Sequence, residues 1–253
     1  MLLKKITTEK LNTYIYENRE QMGAAAAQAA AEAIACVLQK KEYANVIFAA
    51  APSQNEMLAH LLKLDVDFSR VRAFHMDEYD GLTIEHDQSF AKYLYNHIFS
   101  LTEFASVHYI PTHLGAETAC EEYAKLLDQY PPDVVCMGIG ENGHIAFNDP
   151  PVADFQDPKQ VKRIQLDEIC RMQQVHDGCF PTLDDVPKFA VTLTVPALMQ
   201  AEFLICTVPA ATKANAVEAM LEGPYGACCP ATALRRHSGA KMYLDADSGS
   251  KVI

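Results

Sequence analysis

The 253-residue chain carries 33 acidic against 21 basic residues, a formal net charge of −12, with 49% hydrophobic residues and no tryptophan. That length suits one large α/β domain or two smaller ones, with ample material for a core. The acidic balance excludes nucleic acid and anionic membranes as natural partners, but leaves an anionic small molecule open if a pocket supplies local donors.

The chain opens on "MLLKKITTEKLNTY", which is basic but lacks the apolar core of a signal peptide, so it reads as a cytoplasmic protein. Residues 23–39, "GAAAAQAAAEAIACVLQ", predict a helix with a buried face; Gln28 and Glu32 interrupt the apolar run at helical spacing. Strand 45–50, "NVIFAA", leads into a helix within 52–64. Strand 71–76, "VRAFHM", is followed by the polar turn 77–89 and the helical 90–101. Strand 106–110 precedes a helix at 117–130, and 133–139, "DVVCMGI", is the most apolar strand. Residues 188–195 and 202–208 read as strands, 211–223 as a helix stopped at Gly223, and 240–247 as the last strand.

Strands alternating with helices predict an α/β fold: a single Rossmann-like domain over residues 1–253, its mostly parallel central sheet covered by helices on both faces. Residues 150–188 lack apolar periodicity, and long irregular insertions in compact domains are usually functional, so this segment reads as a lid-like insertion. The eight cysteines show no C-x-x-C spacing and read as reduced thiols.

The stretch "GIGENG", Gly138 to Gly143, spells the dinucleotide fingerprint G-x-G-x-x-G. That fingerprint needs a helix immediately afterwards, and "HIAFNDPPV" cannot supply one because the residue before a proline avoids the helical region. Ligands of open α/β sheets bind beyond the carboxyl ends of the strands. That rule nominates four tips: "APSQN", "MDEYDG", "GENGH" and "PAATK".

Asp77 and Glu78 are strand neighbours whose side chains point to opposite faces, so one carboxylate faces a pocket. It is a base, a metal ligand or a cap; the residues alone leave these open. His144, with Asp149 five residues on, suits a proton-shuttling imidazole oriented by a carboxylate, or else a loop anchored by Asn148. A metal set of His75, Asp77 and His144 lacks a diagnostic spacing. "APSQNE" suits an anion at a helix start or a plain N-cap by Ser53 or Asn55, and Lys213 suits a phosphate or the surface.

"FHMDEYDGL" together with "GIGENGHIAFNDP" resembles the glucosamine-6-phosphate deaminase/isomerase family, and strand order with "VPKFAVTLTVPALMQAE" and "ATKANAVEAMLEG" extends the likeness over nearly the whole chain. The 6-phosphogluconolactonases share the fold but differ at "MDEY". The resemblance implies an aldose–ketose isomerisation with loss of ammonia, acting on glucosamine 6-phosphate or galactosamine 6-phosphate. Asp77 is then the base at C2, and His144 the group that opens the ring, oriented by Asn142 and Asp149. The implied substrate contacts are Ser53, Gln54, Asn55, Glu78, Gly138, Gly140, Gly143, Ala146, Arg171, Gln174 and Lys213, the glycines letting backbone amides approach the sugar. The resemblance implies no metal or organic cofactor, a homo-oligomer, and no nucleic-acid or membrane partner.

Three departures stand out. "APSQNE" replaces a glycine- and threonine-rich phosphate loop. Gln174, with Arg171 three residues earlier, stands where the family's lid offers arginine. Asp149 replaces the commoner glutamate, about 1.5 Å shorter in reach, and Asn142 stands where some members have aspartate. A lactonase, in which His144 activates water, and a non-catalytic sugar-phosphate sensor are the competing readings; the intact "MDEY" and the retained Asp77 and His144 weigh against them.

Overall fold

The computed structural model describes all 253 residues. Its strands are β1 (Leu2–Thr8), β2 (Leu11–Tyr16), β3 (Ala44–Phe48), β4 (Val71–His75), β5 (Asp77–Tyr79) and β6 (Ser106–His108). The second half adds β7 (Val134–Met137), β8 (Val161–Gln165), β9 (Phe189–Leu193), β10 (Phe203–Val208) and β11 (Ala240–Asp245). The helices are α1 (Arg19–Leu38), α2 (Asn55–Leu61), α3 (Phe90–Leu94), α4 (Ala116–Gln129), α5 (Glu168–His176), α6 (Val195–Leu198) and α7 (Ala214–Glu222).

Eight strands form the main sheet in the order β1-β2-β11-β10-β7-β3-β4-β6. All its pairings are parallel except β1 with β2. Alternate strand residues feed two separate cores: Val46, Phe48, Val134 and Cys136 belong to one, Ile47, Val135 and Met137 to the other. A sheet covered on both faces in this way needs strands that are apolar throughout, which "VVCM" illustrates. Helix α1 is long and apolar enough to cross a membrane, but half of that window is packed inside the protein, where Met22, Ala26, Ala30, Ile34 and Val37 are buried.

The chain runs outward from β3 through β4 to β6, then returns to the other side of β3 with β7, β10 and β11. The loops after β3 and β7 therefore part company, opening a crevice at a topological switch point. A second, antiparallel sheet, β5-β9-β8, stands beside it and carries Asp77.

Two elements depart from the sequence reading. The N-terminal hairpin of β1 and β2 was not expected, because β1 is an exposed edge strand whose Lys4, Lys5 and Thr8 break the apolar signal. Residues 150–188 are not irregular throughout. They contain β8, held by pairing with β9, and the short helix α5, capped by Asp167, whose side chain accepts from the Ile169 amide. A five-residue strand and a nine-residue helix offer too few turns for a clear period.

Candidate active site

The crevice is lined by the tips that follow the strands: Ala51, Pro52 and Ser53 after β3, Met76 after β4, Gly138, Gly140, His144 and Ala146 after β7, and Thr212 and Lys213 after β10. Helix α5 contributes Gln173, with Asp177 just beyond its end, and α1 contributes Arg19.

His144 is held by a tight turn. The Gly143 amide donates to the Gly140 carbonyl at 3.0 Å, and the Gly140 amide to the His144 carbonyl at 2.9 Å. Gly143 has φ +82°, where side chains are strained, and a Cβ there would lie 2.6 Å from the Cys229 sulfur. Gly140 lies against the imidazole itself, so close that a Cβ would sit 2.1 Å from Cε1. Gly140 therefore makes room for the ring and Gly143 for Cys229, and their amides are already bonded within the turn. The expectation that Gly140 and Gly143 offer amides to a sugar is corrected accordingly. Downstream, Asn148 fastens the loop through bonds from Nδ2 to the Ile145 and Leu193 carbonyls, so the structural role expected for it stands beside the site. Ala146 lines the crevice with a positive φ of 46°, a conformation that costs energy in a residue with a Cβ.

The ring's Nδ1 faces Asn142 Oδ1 at 2.8 Å and Asp149 Oδ1 at 2.9 Å, and Asn142 Nδ2 donates to the same Asp149 oxygen at 3.0 Å. Two acceptors at Nδ1 fix the proton there and leave Nε2 for the crevice. The shorter aspartate thus does reach His144. Burial alone would raise the Asp149 carboxyl, but the hydrogen bond and charge of His144, with the bonds from Asn142 and the Asp167 amide, outweigh it and hold the group below the ordinary value. Asp149 is fully buried and ionised.

Asp77 is 7% exposed, and its carboxyl oxygens have no protein partner yet are not fully enclosed. It follows Met76, which lines the crevice. Burial, then the neighbouring Glu78 charge, pushes this carboxyl well above the ordinary aspartate value of 3.8. A buried, unpartnered carboxylate of raised proton affinity is equipped to take a proton from carbon.

Several predicted contacts lie elsewhere. Glu78 points away from the crevice and caps α3: its carboxylate accepts the amides of Tyr79, Phe90 and Ala91 at 2.9, 3.0 and 2.9 Å. Burial lifts it to about 7 against those three bonds. Gln54 is wholly buried, donating to Ser53 Oγ and the Met137 carbonyl. Asn55 accepts the Tyr93 hydroxyl. Arg171 turns back to the Leu183 and Val186 carbonyls at 2.6 and 2.9 Å, so it does not replace a lid arginine. Gln174 lines an adjoining chamber with Tyr93 and His97 that shares His144, Ala51 and Pro52 with the crevice, while its neighbour Gln173 lines both. A helix turns about 100° per residue, and nothing in the residue pattern marks which of two adjacent glutamines reaches the crevice.

Lys213 is 6% exposed, and its ammonium has no hydrogen-bonding or ion-pair partner. Burial pulls its proton affinity below the usual 10.5, while Asp177 and Glu141 act to keep it charged. Arg19, missed in the sequence because it begins a helix rather than following a strand, joins the same wall. His144, Asp149 and Cys170 offer ligand atoms within 4.8 Å of one another. Burial and the Asp149 charge push the Cys170 thiol well above the ordinary thiol range, so it remains a neutral group rather than a thiolate ligand. His75, lowered to about 4 by burial, is a neutral ring accepting the Ile110 amide.

Comparison with known families places this geometry. Residues 17–243 match the model of the glucosamine-6-phosphate isomerases/6-phosphogluconolactonase family. The chain belongs to that family. Among its relatives, a glucosamine-6-phosphate deaminase of Ligilactobacillus salivarius (strain UCC118) is 32% identical over 192 residues, covering 75% of this chain and 80% of the relative. One of Bacillus thuringiensis (strain Al Hakam) is 30% identical over 240 residues, covering 94% and 88%. The solved structure of a monomeric glucosamine-6-phosphate deaminase superposes with a TM-score of 0.85 at 25% identity, covering 94% of this chain and 98% of that one. A 6-phosphogluconolactonase of Thermotoga maritima, at 20% identity and TM-score 0.77 over 93% and 100%, shares the fold.

Proposed function

We propose that this member of the family is an amino-sugar-phosphate deaminase, converting glucosamine 6-phosphate or its galactosamine epimer, with water, to the ketose 6-phosphate and ammonia. One observation carries the reading: the free Nε2 of an oriented His144 and the unpaired Lys213 line one crevice, and the buried, unpartnered Asp77 carboxyl directly follows Met76 in its wall. His144 moves a proton at the ring oxygen, releasing the aldehyde. Asp77 then takes the C2 proton, now acidified by the carbonyl, and returns it to C1. The resulting C2 imine hydrolyses, consuming one water and releasing ammonia. Asn142 and Asp149 keep Nδ1 protonated and stabilise the imidazolium when Nε2 accepts a proton.

Ser53, Gly138, Ala146, Gln173 and Lys213 contact the sugar phosphate in this reading, and residues 150–188 act as the lid through α5. The protein works in the cytoplasm without a metal or organic cofactor. A homo-oligomer completes this reading, whereas one similar deaminase is monomeric.

The test supplies glucosamine 6-phosphate, galactosamine 6-phosphate and both unphosphorylated sugars, and follows ammonia and ketose together. Turnover of a phosphorylated epimer supports the reading. Silence on all four, with 6-phosphogluconolactone hydrolysed instead, moves the chain to the lactonase branch.

A further inference from the structure

Arg19 opens α1, and its guanidinium is fixed on one side only. Nε donates to Glu56 Oε1 at 2.7 Å, and Nη2 donates to Glu56 Oε2 at 2.9 Å and to the Pro52 carbonyl at 3.0 Å. Nη1 has no partner, and the residue lines the same crevice as Lys213 and Ser53. The fork is locked because α1 and α2 touch at Gly23, where a Cβ would lie 2.4 Å from the Glu56 Cβ. A paired carboxylate holding one edge of a guanidinium while the other edge faces a cavity is a preorganised donor.

The lid side of this wall offers no cation: α5 presents Gln173, with Asp177 beyond it, and Arg171 is bound to backbone carbonyls elsewhere. Lys213 is nine-tenths buried and unpartnered beside it. We propose that Arg19, oriented by Glu56, is this chain's anchor for the substrate phosphate, supplying with Lys213 and Ser53 the donors that position 174 does not. This rests on the sugar-phosphate reading of the site. Glu56 removes part of the local charge, so the contact acts through a directed hydrogen bond, which a planar fork provides and an ammonium does not. Asp177 faces the wall and helps keep Lys213 protonated until the phosphate arrives.

The test measures KM and kcat for glucosamine 6-phosphate in the wild type, Arg19→Ala and Arg19→Lys, and the thermal shift that inorganic phosphate gives each. Loss of one charge-assisted bond should raise KM about ten- to hundredfold in Arg19→Ala, with kcat within about threefold. Arg19→Lys recovers little of this, and phosphate raises the wild-type Tm but not that of Arg19→Ala. An unchanged KM and phosphate shift in Arg19→Ala overturns the proposal. A fall in Tm and kcat with KM unaltered also overturns it, because it assigns Arg19 to structure alone. If Arg19→Ala folds poorly, Arg19→Gln, which keeps an amide donor for Glu56, takes its place. Should the wild type release no ammonia, the reaction assignment fails, and the phosphate shift alone still decides Arg19.

Discussion

Replacing Gly140 by alanine puts a methyl carbon 2.1 Å from His144 Cε1 and 2.3 Å from both ring nitrogens. Ordinary contact begins at 3.4 Å, so the ring must retreat by about 1.3 Å, the difference between 3.4 and 2.1. The ring is pinned at Nδ1 by bonds of 2.8 and 2.9 Å, and adding such a displacement carries both to roughly 4 Å, beyond hydrogen bonding. The backbone cannot yield instead, because Gly140 is bonded to the His144 carbonyl and the Gly143 amide. Misplacing a catalytic group by about 1 Å costs on the order of a hundredfold in rate, and overpacking a closed site costs about 1–3 kcal/mol of stability. Ammonia release from glucosamine 6-phosphate should therefore fall about a hundredfold in kcat in Gly140→Ala, while a thermal melt shows the variant folded. Wild-type kcat in a folded variant would refute the claim that the ring's placement on Gly140 matters.

Asp77→Asn should abolish turnover while substrate still raises the Tm; lost binding instead would make Asp77 a binding group. In the proposed reaction Asp77 acts as a carboxylate, and its folded value is raised, so kcat/KM should fall on the acid side at a pH well above 3.8; an acid limb at the ordinary value would contradict its burial. The same shift bears on stability. A raised folded value means the native state holds the proton more tightly, so stability declines as pH rises through the interval between the unfolded and folded values. In urea melts, Asp77→Asn, which cannot ionise, should gain on the wild type as pH rises above the ordinary aspartate range, and a constant difference would count against the shift. Glu78→Ala should leave KM within about twofold but cost about 3 kcal/mol or more, since three buried amides lose their acceptor; a large KM change would return Glu78 to the substrate.

The strands, the parallel sheet and the position of the site were legible because each rests on a local pattern: apolar runs such as "VVCM", and polar or glycine-bearing tips at their carboxyl ends. His144 with Asn142 and Asp149 was legible because all three lie within eight residues, in one loop. Which side chains turn inward was not. Gln54, Asn55 and Glu78 sit next to crevice residues in sequence but face structural partners, Glu78 because β5 alternates its side chains and α3 needs a cap. Arg171 and Gln173 are two residues, about 200°, apart on α5, and the loop at 183–186 is what draws Arg171 away. Arg19 was invisible because α1 reaches the crevice through a long-range contact with Glu56, 37 residues distant.

In the proposed reaction Asp77 removes the hydrogen at C2 of the opened amino sugar. The most direct test of this role is turnover of glucosamine 6-phosphate deuterated at C2, followed by NMR in the wild type and in Asp77→Asn. A primary isotope effect and loss of deuterium from C2 are expected with the wild type, and label retained at C2 with the variant. Removal of the label at the wild-type rate by Asp77→Asn would contradict it.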